Sequence, residues 1–442
     1  MSFSNSSINN SSSGWKDYEK VALRFFFIYF AIQVIPLDWK FYRELFSIQW
    51  NVYDLFSLTR YAPQFFSFTG YANWLVAAVL AAAGTVVWIN LDRKERDYDT
   101  LYYWLRVILR YRLAIGIIGY GFVKLFPLQI PYPSLSNLHT NYGDFFAWKI
   151  YFHTIGITQG YESFLGAVEI LAGILLFFRK TVTFGTGLII GFVGNVLAAN
   201  IAYDAGEQVY SAYLVVIASF LFVYDVPRLY NLLARERYTI ANKFKPVFTE
   251  KWLVNARLGL KTAFVIFVVL YGVTTYANYE TAPYKIPQTA GLKNSYGFYN
   301  VREFVFNKDT IPYSTTDPNR WQNVVFEKWA TVSIKIAKPV KLDLTTGDGF
   351  YKNDIDRNYE SAGVGGRHYF AYQADTIKHT LLLENKNKNH RSEKFELKYT
   401  QLNDSTIVVR GVSEKKDSIY AVLDKINRKY MLFEGRRKPV KL

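Results

Sequence analysis

Long apolar runs separated by short polar connections dominate the first 280 residues. Seven of these runs approach the ~20 residues that a helix needs to cross a bilayer, and each predicts a membrane-spanning helix. They lie at about 21–37, 72–91, 111–127, 161–178, 182–203, 208–226 and 259–278. The first run is the least defined in length, because Pro36 and Asp38 interrupt the apolar pattern at its end. The stretch 145–157 is short and aromatic, which is typical of an interfacial or re-entrant segment.

The pattern changes after residue 280. Runs such as 331–337, 379–385 and 394–400 alternate apolar and polar residues, and turn-forming stretches separate them. This pattern predicts an antiparallel meander of roughly eight strands, closed or nearly closed into a small β-barrel. We therefore predict a polytopic α-helical membrane protein with a β-rich domain. Its expected parts are a disordered polar tail (1–19), a transmembrane domain (20–280) and the β-domain (285–442).

Basic residues decide the expected orientation. The formal net charge of +16 would suit a nucleic-acid partner, but much of the charge flanks apolar runs, where it serves topology, so we expect none. The connections 92–112 and 227–261 are rich in Lys and Arg, whereas 128–160 has only Lys149. The positive-inside rule then places both basic connections and the N-terminus in the cytoplasm. An odd number of spans puts 285–442 outside an inner membrane.

Two negative observations narrow the chemistry. The chain has no cysteine, which excludes disulfides, thiol catalysis and cysteine-ligated zinc or iron–sulfur clusters. The Ser/Asn-rich start lacks a basic n-region and a small-residue cleavage site, so it does not predict a signal peptide. His139 and His153, with no third clear partner, do not predict a metal site.

Polar residues inside the fourth span point to a buried site. Glu162, Gly166, Glu169 and Gly173 fall on one helix face. Glu162 lies near the outer boundary, and Glu169 is ~10 Å deeper. The neighbouring glycines would let another helix approach closely.

The fifth span contains the small and amide residues that we expect to face the fourth span. Gly187, Gly191 and Gly194 form an expected packing seam of small residues. Asn195 lies next to this seam and is a better candidate than Asn200 for facing the deeper glutamate.

Lys124, in the third span, lies ~18 Å along a ~30 Å hydrocarbon core, hence in the outer leaflet. Two interpretations stay open: Lys124 snorkels to the outer headgroups, or it pairs with Glu162 or Glu169 in an outward-facing cavity. We take these three as the candidate catalytic groups. Tyr120 and His153 are further candidate binding residues. The outer connection that carries His153 would cover such a cavity as a lid, although a structural hydrogen-bonding role for this histidine competes.

Three stretches resemble the four-helix core of DoxX-like membrane proteins. They are "RLAIGIIGYGFVKLFP" (112–127), "GYESFLGAVEILAGILLFFRKTVTFGTGLIIGF" (160–192) and "NIAYDAGEQVYSAYLVVIASFLFVYDVPRLYNLL" (200–233). The first stretch begins with an arginine and continues as a glycine-rich helix that ends in a lysine. The second contains a glutamate followed four residues later by glycine, then a basic turn and a helix of small residues. The resemblance covers about 110–233. The whole chain is similar to variants with extra flanking helices and a C-terminal external β-domain.

This resemblance implies quinone-coupled redox chemistry, because the family's name comes from association with a thiosulfate:quinone oxidoreductase. On that basis Lys124, Glu169 and Asn195 would line a pocket for a quinone or small reductant. Lys124 would donate to a developing oxyanion, and Glu169 would relay a proton. The chain has no haem, flavin or nicotinamide motif. Electron transfer would therefore need a dissociable quinone or a partner subunit.

Three functions remain open at this point. The first is a non-enzymatic envelope component, anchored by its membrane part and docking a partner protein through 285–442. The second is a quinone-linked oxidoreductase, or a subunit of one, with a polar pocket among spans three to five. The third is a small-molecule or lipid transporter or binding protein, which would predict broken helices around a midplane site.

Overall fold

The computed structural model describes residues 14–47, 52–65, 70–91, 97–240, 244, 246, 251–281, 284–349, 351 and 353–435. Two compact units make up the chain. The helical unit comprises Met1–Phe122, Gly166–Ala198 and Glu207–Thr275. The barrel unit comprises Val123–Leu165, Ala199–Gly206 and Tyr276–Leu442. Each unit is described by itself below.

Helices form most of the described chain before residue 280. They are α1 Asp17–Val34, α2 Trp39–Phe46, α3 Val52–Thr59, α4 Ala72–Leu91, α5 Tyr98–Leu125, α6 Leu135–Leu138, α7 Ala147–Gly156, α8 Gln159–Leu175, α9 Val182–Ala202, α10 Gln208–Val223, α11 Val226–Leu233 and α12 Lys251–Asn278. A last short helix, α13, spans Met431–Glu434. Since α1 begins at Asp17, the end of the predicted tail 1–19 is helical, and residues 1–13 of that tail lie outside the described residues.

Three of the described helices, α4, α9 and α12, are long and apolar enough to cross a membrane. The pair α10 and α11, bent by 64°, makes a fourth if it is counted as one span. All seven predicted runs fall largely within helices. The predicted helical class is therefore confirmed, whereas seven spans stay a prediction.

The core of the helical unit forms around α5. Its buried residues Leu105, Leu109, Leu113 and Ile117 recur every four positions, so they share one face of the helix. They belong to one apolar cluster with buried residues of α1, α8, α9 and α10. Burial of this stripe is what the 3.6-residue period of the sequence predicts.

Glycine sets the distance between α5 and α8. A Cβ added at Gly173 would lie 2.4 Å from Cγ1 of Ile118, and one added at Gly121 would lie 2.6 Å from Cγ1 of Ile170. The close approach predicted for Gly173 is therefore confirmed. On α9, by contrast, Gly191 has no atom of the described residues within 4 Å of such a Cβ. No described helix packs on that part of the expected glycine seam.

The C-terminal part of the barrel unit is a closed antiparallel β-barrel. Its strands are β1 Gly297–Phe306, β2 Asp309–Thr310, β3 Asn323–Phe326, β4 Thr331–Lys335, β5 His368–Asp375, β6 Thr380–Asn385, β7 Lys394–Asn403, β8 Thr406–Ser413 and β9 Ser418–Lys425. Each of β3 to β9 pairs with its sequence neighbour, and β1 pairs with both β3 and β9, which closes eight strands. The short β2 adds only to β1. The predicted barrel is confirmed.

Side chains fill the barrel interior. Alternating residues of the strands, such as Phe304, Ile334, Phe370 and Leu397, are buried in one apolar cluster. An eight-stranded barrel is just wide enough for side chains to occupy its centre. The barrel is thus built as a packed core with an outward-facing wall, so any ligand of the barrel would have to bind on that wall or at its rim.

The connection predicted as a lid packs against the C-terminal domain within the barrel unit. The N–H of Phe146 donates to the carbonyl oxygen of Gly363 at 2.9 Å, and the N–H of Gly365 donates to that of Asp144 at 2.7 Å. Trp148 is buried in a cluster with residues of the 344–368 loop. The long loop is therefore a contact surface, and the segment 145–157 contains a short helix, α7, with a buried face.

Candidate functional site

Three of the predicted site residues, Lys124, His153 and Glu162, lie in the barrel unit. Lys124 ends α5 and is 8% exposed, and Glu162, near the start of α8, is fully buried. Oε1 of Glu162 accepts a hydrogen bond from the N–H of Ile130 at 2.9 Å. Its Oε2 has no hydrogen-bond partner among the described residues. Lys124 and Lys285 both act on this carboxylate electrostatically, so the two members of one predicted pair share a buried environment.

His153, on α7, is half-buried, and its ring meets the Phe145 ring edge-on with centroids 5.0 Å apart. Burial lowers the pKa of His153 to about 3. This histidine is therefore neutral at physiological pH, which favours a packing role over a proton-carrying one.

The other predicted residues, Tyr120, Glu169 and Asn195, lie in the helical unit. Glu169 is 2% exposed in α8, as expected for a group that does not face lipid. Asn195 instead has an exposed side chain, and the buried amide on α9 is Asn200, at 5%. The glycine seam predicts Asn195 as the inward-facing amide, whereas the side of α9 that turns inward depends on the neighbours of the helix in the fold.

Tyr120 belongs to a polar cluster that the sequence did not reveal. Its hydroxyl donates to Oε2 of Glu207 at 2.8 Å, and Arg60 pairs with Oε1 of the same carboxylate at 2.5 Å. The Arg60 guanidinium also lies over the Tyr120 ring, 5.6 Å from its centroid. The two charged partners are 147 residues apart, so no local pattern connects them. The charged and polar groups of this cluster bond to one another, which is typical of a structural role.

In the barrel unit, Lys149 is fully buried and its ammonium donates to the carbonyl oxygen of Tyr359. The same group lies 3.7 Å from the centroid of the Tyr359 ring. Burial, followed by the nearby charge of Lys285, lowers the pKa of Lys149 well below its ordinary value. No cavity described below is lined by this amine, so its contacts fasten α7 to the 344–368 loop.

A buried ion pair joins the 344–368 loop to the barrel. Nζ of Lys386 lies 2.8 Å from Oε1 of Glu360, and both residues are at most 4% exposed. Oε2 of Glu360 accepts from the indole N–H of Trp329 at 2.8 Å, and its backbone oxygen accepts from the side-chain amide of Asn137 at 2.9 Å. One glutamate thus connects three parts of the unit.

Glu327, just after β3, holds the short helix α6. Its Oε1 accepts from the N–H and the hydroxyl of Ser136 at 2.7 and 2.6 Å, and its Oε2 accepts from the N–H of Leu135 at 3.3 Å. Burial, followed by the charge of Glu360, raises the pKa of Glu327 to about 7. Together with the two lysine contacts, these bonds make segment 134–149 a fixed part of the barrel unit.

A groove with a volume of about 970 Å³ runs along the outer wall of the barrel. It crosses β5, β6 and β7, with the end of β8 and the 353–357 turn at its edges. Its floor includes two exposed apolar side chains, Leu382 (50% exposed) and Val412 (42%). Such a width across three strands suits an extended chain better than a compact small molecule.

The charge of this wall groove is acidic, although the chain as a whole is strongly basic. Its described lining contains four carboxylates and two cations: Asp354, Glu384, Glu396, Glu414, Arg357 and Lys394. Lys394 pairs with Glu384 at 3.2 Å, and Arg357 pairs with Asp354 at 3.2 Å. The two pairs leave Glu396 and Glu414, both exposed, as the surplus negative charge.

A smaller cavity of about 340 Å³ lies at the barrel rim, beside the proline-rich stretch 127–135. Its buried ionic groups are already engaged: Lys285 pairs with Asp348, and Glu327 holds α6. Its remaining lining is largely aromatic and apolar, including Tyr296 and Trp329. This cavity has less to offer a charged ligand than the wall groove.

Neither a metal centre nor a known relative defines the function. Among the described residues, no group of three or more His, Asp or Glu is arranged to hold a metal ion. No protein-family model, curated protein or solved structure matches the chain. The DoxX-like resemblance therefore stays a prediction, and function has to be argued from the barrel unit and its groove.

Proposed function

We propose that the protein is an inner-membrane envelope component whose external barrel docks an extended, basic segment of a partner protein. The observation that carries this proposal is the acidic groove on the barrel wall. Of its surplus carboxylates, Glu396 lies between exposed Leu382 and Val412 in the strand register, and Glu414 directly follows β8. Charges of one sign beside an apolar floor favour a partner of opposite charge and give it both steering and contact area.

The filled interior of the barrel supports a docking role over the carriage of a small ligand. Barrels that carry ligands keep an internal cavity, whereas side chains occupy the centre of this one.

The membrane topology is part of the proposal, with seven spans, a cytoplasmic N-terminus and an external barrel. The set of chain segments that make up the barrel unit supports this topology. Segments 123–165 and 199–206 and the C-terminal domain belong to this one unit. They include the poorly basic connections that the positive-inside rule places outside.

Cysteine labelling tests the topology, because the natural chain has no cysteine. In Ile377→Cys, a membrane-impermeant maleimide should label the exposed barrel turn in intact cells. In Arg237→Cys, within the basic connection, labelling should need permeabilised membranes. The reverse pattern, or equal labelling of both, would refute the orientation.

Peptide binding to the purified full-length protein tests the groove. The probe is a fluorescent peptide of alternating lysine and valine, followed by anisotropy. Because the chain has a net charge of +16, non-specific attraction of this probe is disfavoured, and binding should report a local acidic surface. Binding should weaken with salt and be lost in Glu396→Lys/Glu414→Lys. The control Glu303→Lys adds positive charge on β1, across the barrel, and should bind like the wild type.

The alternative is a quinone-linked oxidoreductase or subunit. Two observations favour it: Lys124 and Glu162 share a buried environment, and Oε2 of Glu162 lacks a hydrogen-bond partner among the described residues. Mass spectrometry of the gently solubilised protein should then detect a quinone that is lost in Lys124→Ala and Glu162→Gln. If the wild-type protein carries no quinone, the docking proposal stands alone.

A further inference from the structure

The helical unit contains a cleft with a volume of about 650 Å³. One wall is formed by α5, with Trp104, Ile108 and Ile115, and the facing wall by α12, with Leu260 and Phe264. Residues at the end of α1 and near α3 complete the lining of the cleft. A cleft of this size with largely apolar walls can accommodate a hydrocarbon chain.

Cations line the same cleft, and none of its described lining residues is Asp or Glu. The set consists of Arg110, Arg112, Arg179, Arg257 and Lys261. Arg110 and Arg112 are buried, and buried charged side chains are costly unless something compensates them. A ligand that brought negative charge to these two side chains would supply that compensation.

Backbone oxygens, and not carboxylates, hold the two buried arginines. Nε and Nη2 of Arg110 donate to the carbonyl oxygen of Leu176 at 3.0 and 2.8 Å. Arg112 donates to the carbonyl oxygens of Thr59, at 3.1 Å, and Tyr61. Its Nε has no hydrogen-bond partner among the described residues, although the residue is only 7% exposed. The guanidinium groups are therefore fixed in place, and no carboxylate of the described residues pairs with either of them.

We propose that this cleft binds an anionic phospholipid, with its phosphate near the cations and an acyl chain along the apolar walls. A neutral quinone would not need the cations, and a free phosphate would not need the apolar walls. The inference rests on the proposed insertion of the helices. In that topology the basic residues of this cleft face the cytoplasmic leaflet, where basic pockets between helices bind acidic headgroups.

Native mass spectrometry of the full-length protein in detergent tests the proposal. The probes are phosphatidylglycerol and phosphatidylcholine with identical acyl chains. We expect phosphatidylglycerol to be retained at least tenfold better. Each neutralised cation should weaken its retention about fivefold, so Arg257→Gln/Lys261→Gln should abolish most of the preference. Ile108→Trp, which fills the apolar part, should reduce the retention of both lipids.

The matched control is Arg228→Gln/Arg235→Gln, which removes the same charge from exposed positions outside the cleft. This variant should keep the wild-type preference. Equal retention of both lipids by the wild type, or equal losses in the two charge variants, would overturn the proposal. Carbonate extraction of membranes separates this failure from a failure of membrane insertion. A protein that stays in the membrane fraction without lipid preference contradicts the cleft assignment alone.

Discussion

The buried carboxyl group of Glu327 should make the stability of the barrel unit fall as the pH rises. Burial raises its pKa to about 7 in the folded protein, against an ordinary value of 4.5. The folded protein therefore keeps a proton that the unfolded chain releases between these values. This stabilisation is fully present below pH 4.5 and is lost as the pH rises through 7. At about 1.4 kcal/mol per pH unit, the loss amounts to about 3 kcal/mol. Because the residue is only 2% exposed, solvent screening should reduce it little.

The variant Glu327→Gln removes this titration while keeping one side-chain oxygen as an acceptor for the N-terminus of α6. Chemical unfolding of the full-length protein in detergent, followed by tryptophan fluorescence, gives the free energy of unfolding from pH 5 to pH 8. The difference between variant and wild type should shift by about 3 kcal/mol in favour of the variant over this range. The control Glu303→Gln, at an exposed position on β1, should follow the wild type. Parallel curves for Glu327→Gln and wild type would refute the reasoning.

Two further changes test the packing of each unit by thermal unfolding. Gly173→Ala should destabilise by about 1–3 kcal/mol, partly offset by about 1 kcal/mol of helix propensity, because its Cβ would meet Ile118. Gly191→Ala has open space and should be neutral or slightly stabilising, so equal effects at both positions would contradict the α5–α8 contact. Lys386→Met should cost about 3–5 kcal/mol by leaving the Glu360 carboxylate buried without its cation. Adding Glu360→Gln should recover part of that loss, and no recovery would argue against the ion pair.

The barrel was predictable because its information is local. Runs that alternate apolar and polar residues, such as 331–337 and 394–400, became β4 and β7. Turn-forming stretches between such runs determine neighbour-to-neighbour pairing, which is the observed order. Two pairings are long-range in sequence: β1 with β9, which closes the barrel, and β4 with β5, which the long 336–367 connection separates. The curvature of an eight-stranded sheet brings β1 and β9 together.

The position of the outer connection was not predictable from local pattern. The Lys149–Tyr359 contact joins residues 210 positions apart, and the sequence had suggested a lid over the membrane part instead. One local signal of this contact is the glycine-rich run 363–366. Gly363 has a positive φ of 67°, and a Cβ there would lie 2.6 Å from the Trp148 ring. Glycine at position 363 is therefore required for the close approach of Trp148.

Photo-crosslinking in native membranes tests the central claim, that the acidic wall groove docks a partner, most directly. A photoreactive amino acid replaces Leu382, on the groove floor in β6, or Glu303, on the opposite side of the barrel. The account predicts a discrete protein adduct from position 382, lost when Glu396→Lys/Glu414→Lys is added, and none from position 303. No adduct at either position, or the same adduct at both, would contradict it.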